Sequence, residues 1–357
     1  MQTKKQKFIE SPAALGYRMP AEWEPHEATW LAWPHNQETW PGQLEEVAAV
    51  YSDLVNALAR GEKVKILVDN EPEEEAVRTK LARRGVSASQ LVFYRIPTGD
   101  AWIRDYGPLF VRRKNGKGPS GLSMIHWIFN AWGGKYESFM TDNQVPDKML
   151  SILNLPYFEP GMVLEGGSID VNGEGILLTT EQCLLNANRN PSLKKVEIEE
   201  YLRDFLGVTD IVWLGAGIAG DDTDGHVDDM ARFVVGDTVL CAVESDSQDS
   251  NYTTLRDNRK RLEEARDSRG NKFRIVELPM PGKVEGPDGR LPASYANFYI
   301  GNSAVLVPVY GHFNDRAALR ILKEVFPGRE IVGIPCHTLV YGLGAIHCVT
   351  LQEPAVI

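Results

Sequence analysis

A chain of 357 residues with 43% apolar and 24% charged side chains has the make-up of an ordinary globular protein. Its formal net charge of −11 argues against nucleic acid or anionic membranes as partners and suits a small cationic one. Four cysteines, Cys183, Cys241, Cys336 and Cys348, form no C-x-x-C pair, so free thiols in a reducing, cytoplasmic setting are expected.

The opening MQTKKQKFIESP is basic but leads into no apolar core, so no signal peptide is expected. Residues 1–18 read as an N-terminal extension of one domain spanning 1–357. Strand, helix and strand patterns follow over 28–33, 44–59 and 64–68. Four later segments pair apolar runs across glycine-containing turns, at Asn115-Gly116, Asn172-Gly173, Gly236-Asp237 and Gly301-Asn302, and each reads as a β-hairpin. Helical patterns over 193–205, 254–266 and 315–326 come after these hairpins, and short strands over 211–214, 273–276 and 331–334 follow the helices. The unit strand, turn, strand, helix, strand therefore recurs about every 60 residues. Residues 279–292 (PMPGKVEGPDGRLP) read as a long surface loop, a candidate lid. The stretch 331–351 carries no Asp, Glu, Lys or Arg, yet Pro335, Gly342 and Gly344 suit buried strands and turns better than a membrane span. A last strand over 346–351, paired with the N-terminal strand, would close a ring of five units and leave no open sheet edge.

The residues just ahead of each first hairpin strand carry the chemistry. They are Trp102-Ile103-Arg104-Asp105, Glu165-Gly166-Gly167 and His226-Val227-Asp228-Asp229. In a ring of similar units, equivalent strand ends meet at one rim, so three carboxylates and a histidine would converge there, joined by His347 and Cys348 from the closing strand. Converging carboxylates are costly unless a cation offsets them. A guanidinium suits, because its planar fork of N–H donors matches carboxylate pairs. Cysteine with histidine supplies a nucleophile and a proton shuttle. Blander readings stand beside this one: Asp105 could pair with Arg104, His226 could sit on a surface loop, and any single cysteine could be core.

Three other patterns fail on their own terms. Gly215-Ala216-Gly217-Ile218-Ala219-Gly220 matches a dinucleotide fingerprint, but Asp221, Asp222 and Asp224 follow at once and would repel a pyrophosphate. A calcium loop aligned on Gly225 would put Gly220 and Ala231 where carboxylates are needed. Cys336-His337 and His347-Cys348 lack the paired spacing of a zinc site.

The segments MPAEWEPHEATWLAWP, DAWIRDYGP, FNAWGGKY, EGGSIDVNGEGILLTTEQCLLNANRNP, TDGHVDD, SYANFYI and IHCVTLQEP resemble the agmatine deiminase family, which groups with the bacterial-type peptidylarginine deiminases. The similarity runs from about Met19 to Pro354. It implies the pentein fold, an α/β class architecture in which ββαβ units form a five-bladed pseudo-symmetric α/β-propeller. It implies Cys348 as nucleophile, Asp105 and Asp228 as ligands of the guanidinium nitrogens, His226 as general acid and base oriented by Glu165, and Trp102 packed against the substrate. The implied reaction converts agmatine and water to N-carbamoylputrescine and ammonia through a covalent thiouronium, with no metal or organic cofactor. A deiminase of free or peptidyl arginine, an amidinotransferase and a catalytically silent binding module are the rival readings, and self-association is left open. Two departures fall beside these residues: the run before Cys348 is Gly342-Leu343-Gly344-Ala345, where the family often has GGGN, and Asp229-Met230 stands where the family often has Asn-Phe.

Overall fold

A computed structural model of the chain describes residues 10–113 and 121–356, so the turn expected at Asn115-Gly116 lies outside the described residues. Five sheets share one plan. In each, an antiparallel strand pair is extended by a parallel strand that the chain reaches through a helix. Leu109–Arg113 and Leu122–Ile125 pair this way with Tyr157–Phe158, and Ile169–Val171 and Ile176–Thr180 with Asp210–Leu214. Ala231–Val235 and Thr238–Val243 are joined by Arg274–Pro279, and Tyr299–Ile300 and Ala304–Val309 by Glu330–Pro335. The fifth sheet is built from both ends of the chain: Leu351–Pro354 lies antiparallel to His26–Ala32, which is parallel to Lys63–Val68.

Local chemistry explains the turns and helix ends. At Asn172 the side-chain oxygen accepts from the backbone N–H of Glu174 and Ile176, and Gly173 takes φ 72, which a residue with a Cβ rarely adopts. Helix Lys195–Leu206 stops at Gly207, whose φ is 67. A Cβ there would also lie 2.6 Å from the Tyr17 carbonyl oxygen, so conformation and space both demand glycine. Two elements escape the periodicity: helix Glu71–Arg83, capped by Asn70, and strand Leu91–Arg95, which adds a fourth strand to the fifth sheet. Residues 17 and 18 are more than an extension, since Tyr17–Arg18 pairs with the edge of Leu109–Arg113.

The expected closure needs two corrections. The C-terminal strand begins at Leu351, so His347 and Cys348 precede it in a tight turn. That turn is held by Thr350 N–H donating to the His347 carbonyl and by His347 N–H donating to the Asn297 carbonyl, which uses the groups a strand would need for its ladder. The sheets also stay separate, each with its own edge strands, rather than joining into one closed sheet. The N- and C-terminal strands do pair as expected. Glu353 locks them by accepting from Lys65 Nζ at 2.6 Å and Trp30 Nε1 at 2.7 Å, all buried.

Candidate active site

Three consecutive units place their polar residues at the same structural position. A short helical turn precedes the first hairpin strand in each: Ile103–Tyr106, Gly166–Ser168 and Val227–Asp229. Trp102, Glu165 and His226 each occupy the residue before the turn, while Asp105 and Asp228 lie within it. Gly167 is where these turns meet. A Cβ there would stand 2.6 Å from His226 Nδ1, 2.9 Å from Asp105 Oδ1 and 3.0 Å from Asp228 Oδ2, so only glycine lets the three side chains converge.

A cavity of about 580 Å³ opens on this cluster. Its lining includes the buried Cys348, Asp105, Trp102 and Trp132, together with the half-buried Asp222 and the exposed Asp288 and Glu38. Among the described residues Arg290 is the one Arg or Lys of the lining, and its guanidinium is occupied by Asp249 at 2.6 Å and by Ser250. The loop expected over 279–292 contributes 287–291 to the wall and folds into a small ribbon, Glu285–Gly286 against Gly289–Arg290. Trp102 packs against Trp40, the rings tilted by 40° with centroids 5.3 Å apart. Gly344 packs against it so closely that a Cβ would come within 2.5 Å of the Trp102 ring and 3.1 Å of Cys348 Cβ.

Behind the cavity wall the charges are individually held. Asp105 accepts from Trp132 Nε1 at 2.9 Å and from Gly167 N–H at 3.0 Å, and its Oδ1 lies 3.7 Å from His226 Nδ1. Arg104 does not pair with Asp105; it turns to the His347 carbonyl, Gln352 and Glu22. His347 bridges Asp228 Oδ2 at 2.6 Å and Glu22 Oε2 at 2.8 Å. Glu165 accepts from Arg189 Nε at 2.6 Å, and both side chains are fully buried. His226 is also buried, not on a surface loop, and its ligand atom lies within 4.8 Å of those of Glu165 and Cys183. No hydrogen bond joins it to Glu165 among the described residues, and its Nε2 is buried without a partner.

The electrostatics follow from burial and these neighbours. Burial raises the Asp105 pKa and the nearby Asp228 charge adds to this, while His226 works against both. For His226 burial disfavours the charge, but Asp105, Cys183 and Asp228 outweigh it and hold the imidazole well above its ordinary value. Asp228 is held below the usual carboxylate range despite burial, through its bond to His347 and the charges of His347 and His226. The Cys348 thiol is pushed well up, by burial first and then by Asp228, Asp229 and Asp105. Burial and these carboxylates favour the neutral thiol, and a cation placed among the carboxylates would favour the thiolate.

Of the residues expected at the site, Trp102, Asp105 and Cys348 line the cavity, whereas His226 and Asp228 meet Asp105 around Gly167 and, like Glu165, are buried and outside the lining. Several partners were not anticipated: Glu22, Arg189, Trp132 and Asn297. Asn297 Nδ2 donates to Cys348 Sγ at 3.2 Å and to Asp229 Oδ1 at 3.0 Å, which links the unusual Asp229 to the nucleophile. The signal for Asn297 was its unit position, since it precedes Tyr299–Ile300 much as Asp105 and Asp228 precede their own hairpins.

Residues 18–354 match the Porphyromonas-type peptidyl-arginine deiminase family. The chain belongs to this family. It is 40% identical to an agmatine deiminase of Pseudomonas aeruginosa over 368 aligned residues, covering 97% of each chain. Among solved structures it resembles the agmatine deiminase of Enterococcus faecalis, with a TM-score of 0.90, 34% identity and coverage of 99% and 100% of the two chains. It also resembles a Cys-to-Ser variant of C. jejuni agmatine deiminase with substrate bound, with a TM-score of 0.85, 31% identity and coverage of 96% and 97%. Among the described residues, no helix is long and apolar enough to cross a membrane.

Proposed function

We propose that the chain is an agmatine deiminase, a hydrolase that converts agmatine and water to N-carbamoylputrescine and ammonia. The observation that carries this reading is that Cys348 and Asp105 line one acidic cavity, with Asp228 and His226 meeting Asp105 around Gly167. In this reading Asp105 and Asp228 hold the guanidinium nitrogens and the Trp102 ring covers the bound group. Substrate charge offsets the carboxylates that hold the thiol neutral, so binding favours the Cys348 thiolate. Sγ attacks the guanidinium carbon, His226 delivers a proton to the departing nitrogen, and ammonia leaves a Cys348 thiouronium. His226 then takes a proton from water as the water oxygen attacks the same carbon, and the C–S bond breaks to return the thiol and the ureido product.

The far end of the cavity favours agmatine over arginine. An α-carboxylate would need a cation there, and Arg290 is already committed to Asp249. Asp222, Asp288 and Glu38 instead suit the primary ammonium of agmatine. The family's second substrate class, peptidyl arginine, would have to enter past the 287–291 wall, which we read as a lid. The architecture belongs to the same proposal: a single pentein domain whose five sheets surround one axis as a five-bladed propeller, in a cytoplasmic enzyme needing no metal or organic cofactor. The test is ammonia release from agmatine, arginine and a blocked peptidylarginine under identical conditions. Agmatine should exceed the others by at least about a hundredfold in kcat/KM, the scale of one unpaired charge at roughly 3 kcal/mol. Equal or greater turnover of arginine would remove the substrate assignment.

A further inference from the structure

Asp229 is a buried carboxylate beside the site that the mechanism above leaves unused. It follows Asp228 in the turn Val227–Asp229. Its Oδ1 accepts from Asn297 Nδ2 at 3.0 Å, and the same nitrogen donates to Cys348 Sγ at 3.2 Å. Asn297 is itself fully buried.

The other end of the amide fixes its orientation. Asn297 Oδ1 accepts from the His347 backbone N–H at 2.9 Å, a contact that a carbonyl oxygen can make and an NH2 group cannot. The NH2 group therefore faces Asp229 and the sulfur, with one hydrogen for each. The backbone around Asn297 is held as firmly. Arg232 Nη1 donates to the Phe298 carbonyl at 2.8 Å and to the Ala296 carbonyl at 3.4 Å, and that guanidinium is ion-paired with Asp170 and Glu22. Ser294 Oγ donates to the Asp229 carbonyl at 2.7 Å and accepts from the Ala296 N–H, which ties segment 294–297 to Asp229.

A thiolate is a far better acceptor than a thiol, since charge-assisted hydrogen bonds are roughly twice as strong as neutral ones. The Asn297 N–H therefore gains most when negative charge sits on Sγ. In the reaction above this happens twice: when the thiolate forms to attack, and when the C–S bond breaks and its electron pair returns to sulfur. Between these moments the sulfur belongs to a cationic thiouronium and accepts poorly. Asp228, Asp229 and Asp105 face the same sulfur and oppose its charge, while a backbone hydrogen bond from Ala345 supports it. A neutral donor meets a need there that no carboxylate can.

We propose that Asn297 is a catalytic residue whose amide donates to the Cys348 sulfur as negative charge builds there, and that Asp229 is the positioning residue that aims the amide. For turnover this rests on the deiminase reading; for the reactivity of the thiol it does not.

Iodoacetamide labelling of Cys348 against pH, combined with agmatine kinetics, tests both roles. Asn297→Ala should lower kcat about tenfold or more, the scale of one hydrogen bond to a charged group, with KM within about threefold of native. Its labelling midpoint should rise by about one pH unit, because a tenfold loss of thiolate stability is one unit. The Asn297 backbone carbonyl also accepts from the His347 N–H at 3.1 Å, so that donor keeps a partner in the variant. If Asn297→Ala does not fold, Asn297→Asp keeps the oxygen and the shape while removing both donors, and its midpoint should rise at least as far. Asp229→Ala and Asp229→Asn remove the same charge, but only the second leaves an oxygen for Asn297. Asp229→Asn should therefore recover about threefold or more in kcat over Asp229→Ala, and that gap should close in the Asn297→Ala background. A midpoint that stays at the native value in the Asn297 variants, even with kcat reduced, would overturn the catalytic role. A gap that persists without Asn297 would overturn the positioning role. Absence of agmatine turnover in the native chain would remove the deiminase reading alone, and the labelling would still decide for or against Asn297.

Discussion

Cys348 and Cys183 stand near the same carboxylate cluster and are held in opposite ways. Both are buried, and burial raises both thiols above their ordinary value. Beside Cys183 the negative charge already has its counter-ion. Glu165 Oε2 lies 4.0 Å from the Cys183 sulfur, while Arg189 pairs with Glu165 Oε1 and continues to Asp224 at 2.7 Å and the Thr223 carbonyl. Beside Cys348 no protein guanidinium reaches Asp105: it accepts from the Trp132 and Gly167 N–H groups and has the His226 imidazole 3.7 Å away. A guanidinium of the protein completes the first environment; under the proposed function the guanidinium of the substrate completes the second. A raised thiol pKa therefore does not mark a nucleophile; access and an unfinished charge balance do.

The strongest break of this comparison is at the sulfur. Cys348→Ser should lower turnover of agmatine on the order of 10⁴-fold or more, as loss of a covalent nucleophile does elsewhere, with an unchanged circular dichroism spectrum. Ammonia release within tenfold of the native rate would remove Cys348 from the mechanism. Next is Asp105→Asn, which leaves a buried guanidinium half paired. A loss of about 3–5 kcal/mol in transition-state binding, or roughly 10²–10³-fold or more in kcat/KM, is expected. A drop below tenfold would mean that Asp105 does not touch substrate.

These two residues were legible in the sequence, and the reason is physical. Hairpin turns need glycine and asparagine at fixed offsets, so Gly173, Gly236 and Gly301 reveal the repeat. The repeat in turn ranks the positions ahead of each hairpin. What escaped was either non-local or locally irregular. Glu22 meets His347 across 325 positions of chain, and Arg189 reaches Glu165 from a loop with no periodicity. The exact seat of Cys348 was missed because an uncharged run reads as a strand, whereas Gly342, Gly344 and the positive φ of Leu343 wind it into turns.

Arg189→Gln sharpens the contrast from the other side. It strands Glu165 as an unpaired buried charge, so a loss of stability of about 3–5 kcal/mol is expected in denaturant unfolding. Arg189→Lys keeps the charge but not the fork that reaches Asp224 and Thr223 together, and should recover only part of it. Full stability in Arg189→Gln would show that Glu165 does not depend on this partner.

The pH dependence of thiol labelling separates the two cysteines without any substitution. The Cys348 pKa is raised, so its thiolate fraction is small at neutral pH and grows only as pH climbs past the ordinary thiol value. Iodoacetamide labelling of the empty enzyme should therefore accelerate with a midpoint above that value. Cys183 does not line the cavity and should stay unlabelled under native conditions. A midpoint below the ordinary thiol value would mean that the thiolate is formed before substrate arrives.

The smallest effect belongs to Cys183→Ala. The side chain is fully buried, so its removal leaves a cavity of one sulfur atom, a loss of about 1–2 kcal/mol at most. Its hydrogen bond to Glu165 is long, and Arg189 keeps that carboxylate in place without it. Turnover should then stay within about threefold of native, a barrier change under 1 kcal/mol. His226 gives this variant its discriminating power. Cys183 is one of the groups that hold the imidazole above its ordinary value, after Asp105. If the thiol matters to proton transfer, kcat should fall and its pH profile should shift to lower pH as the imidazole loses support. An unshifted profile with native kcat would leave Asp105 as the group that sets the protonation of His226.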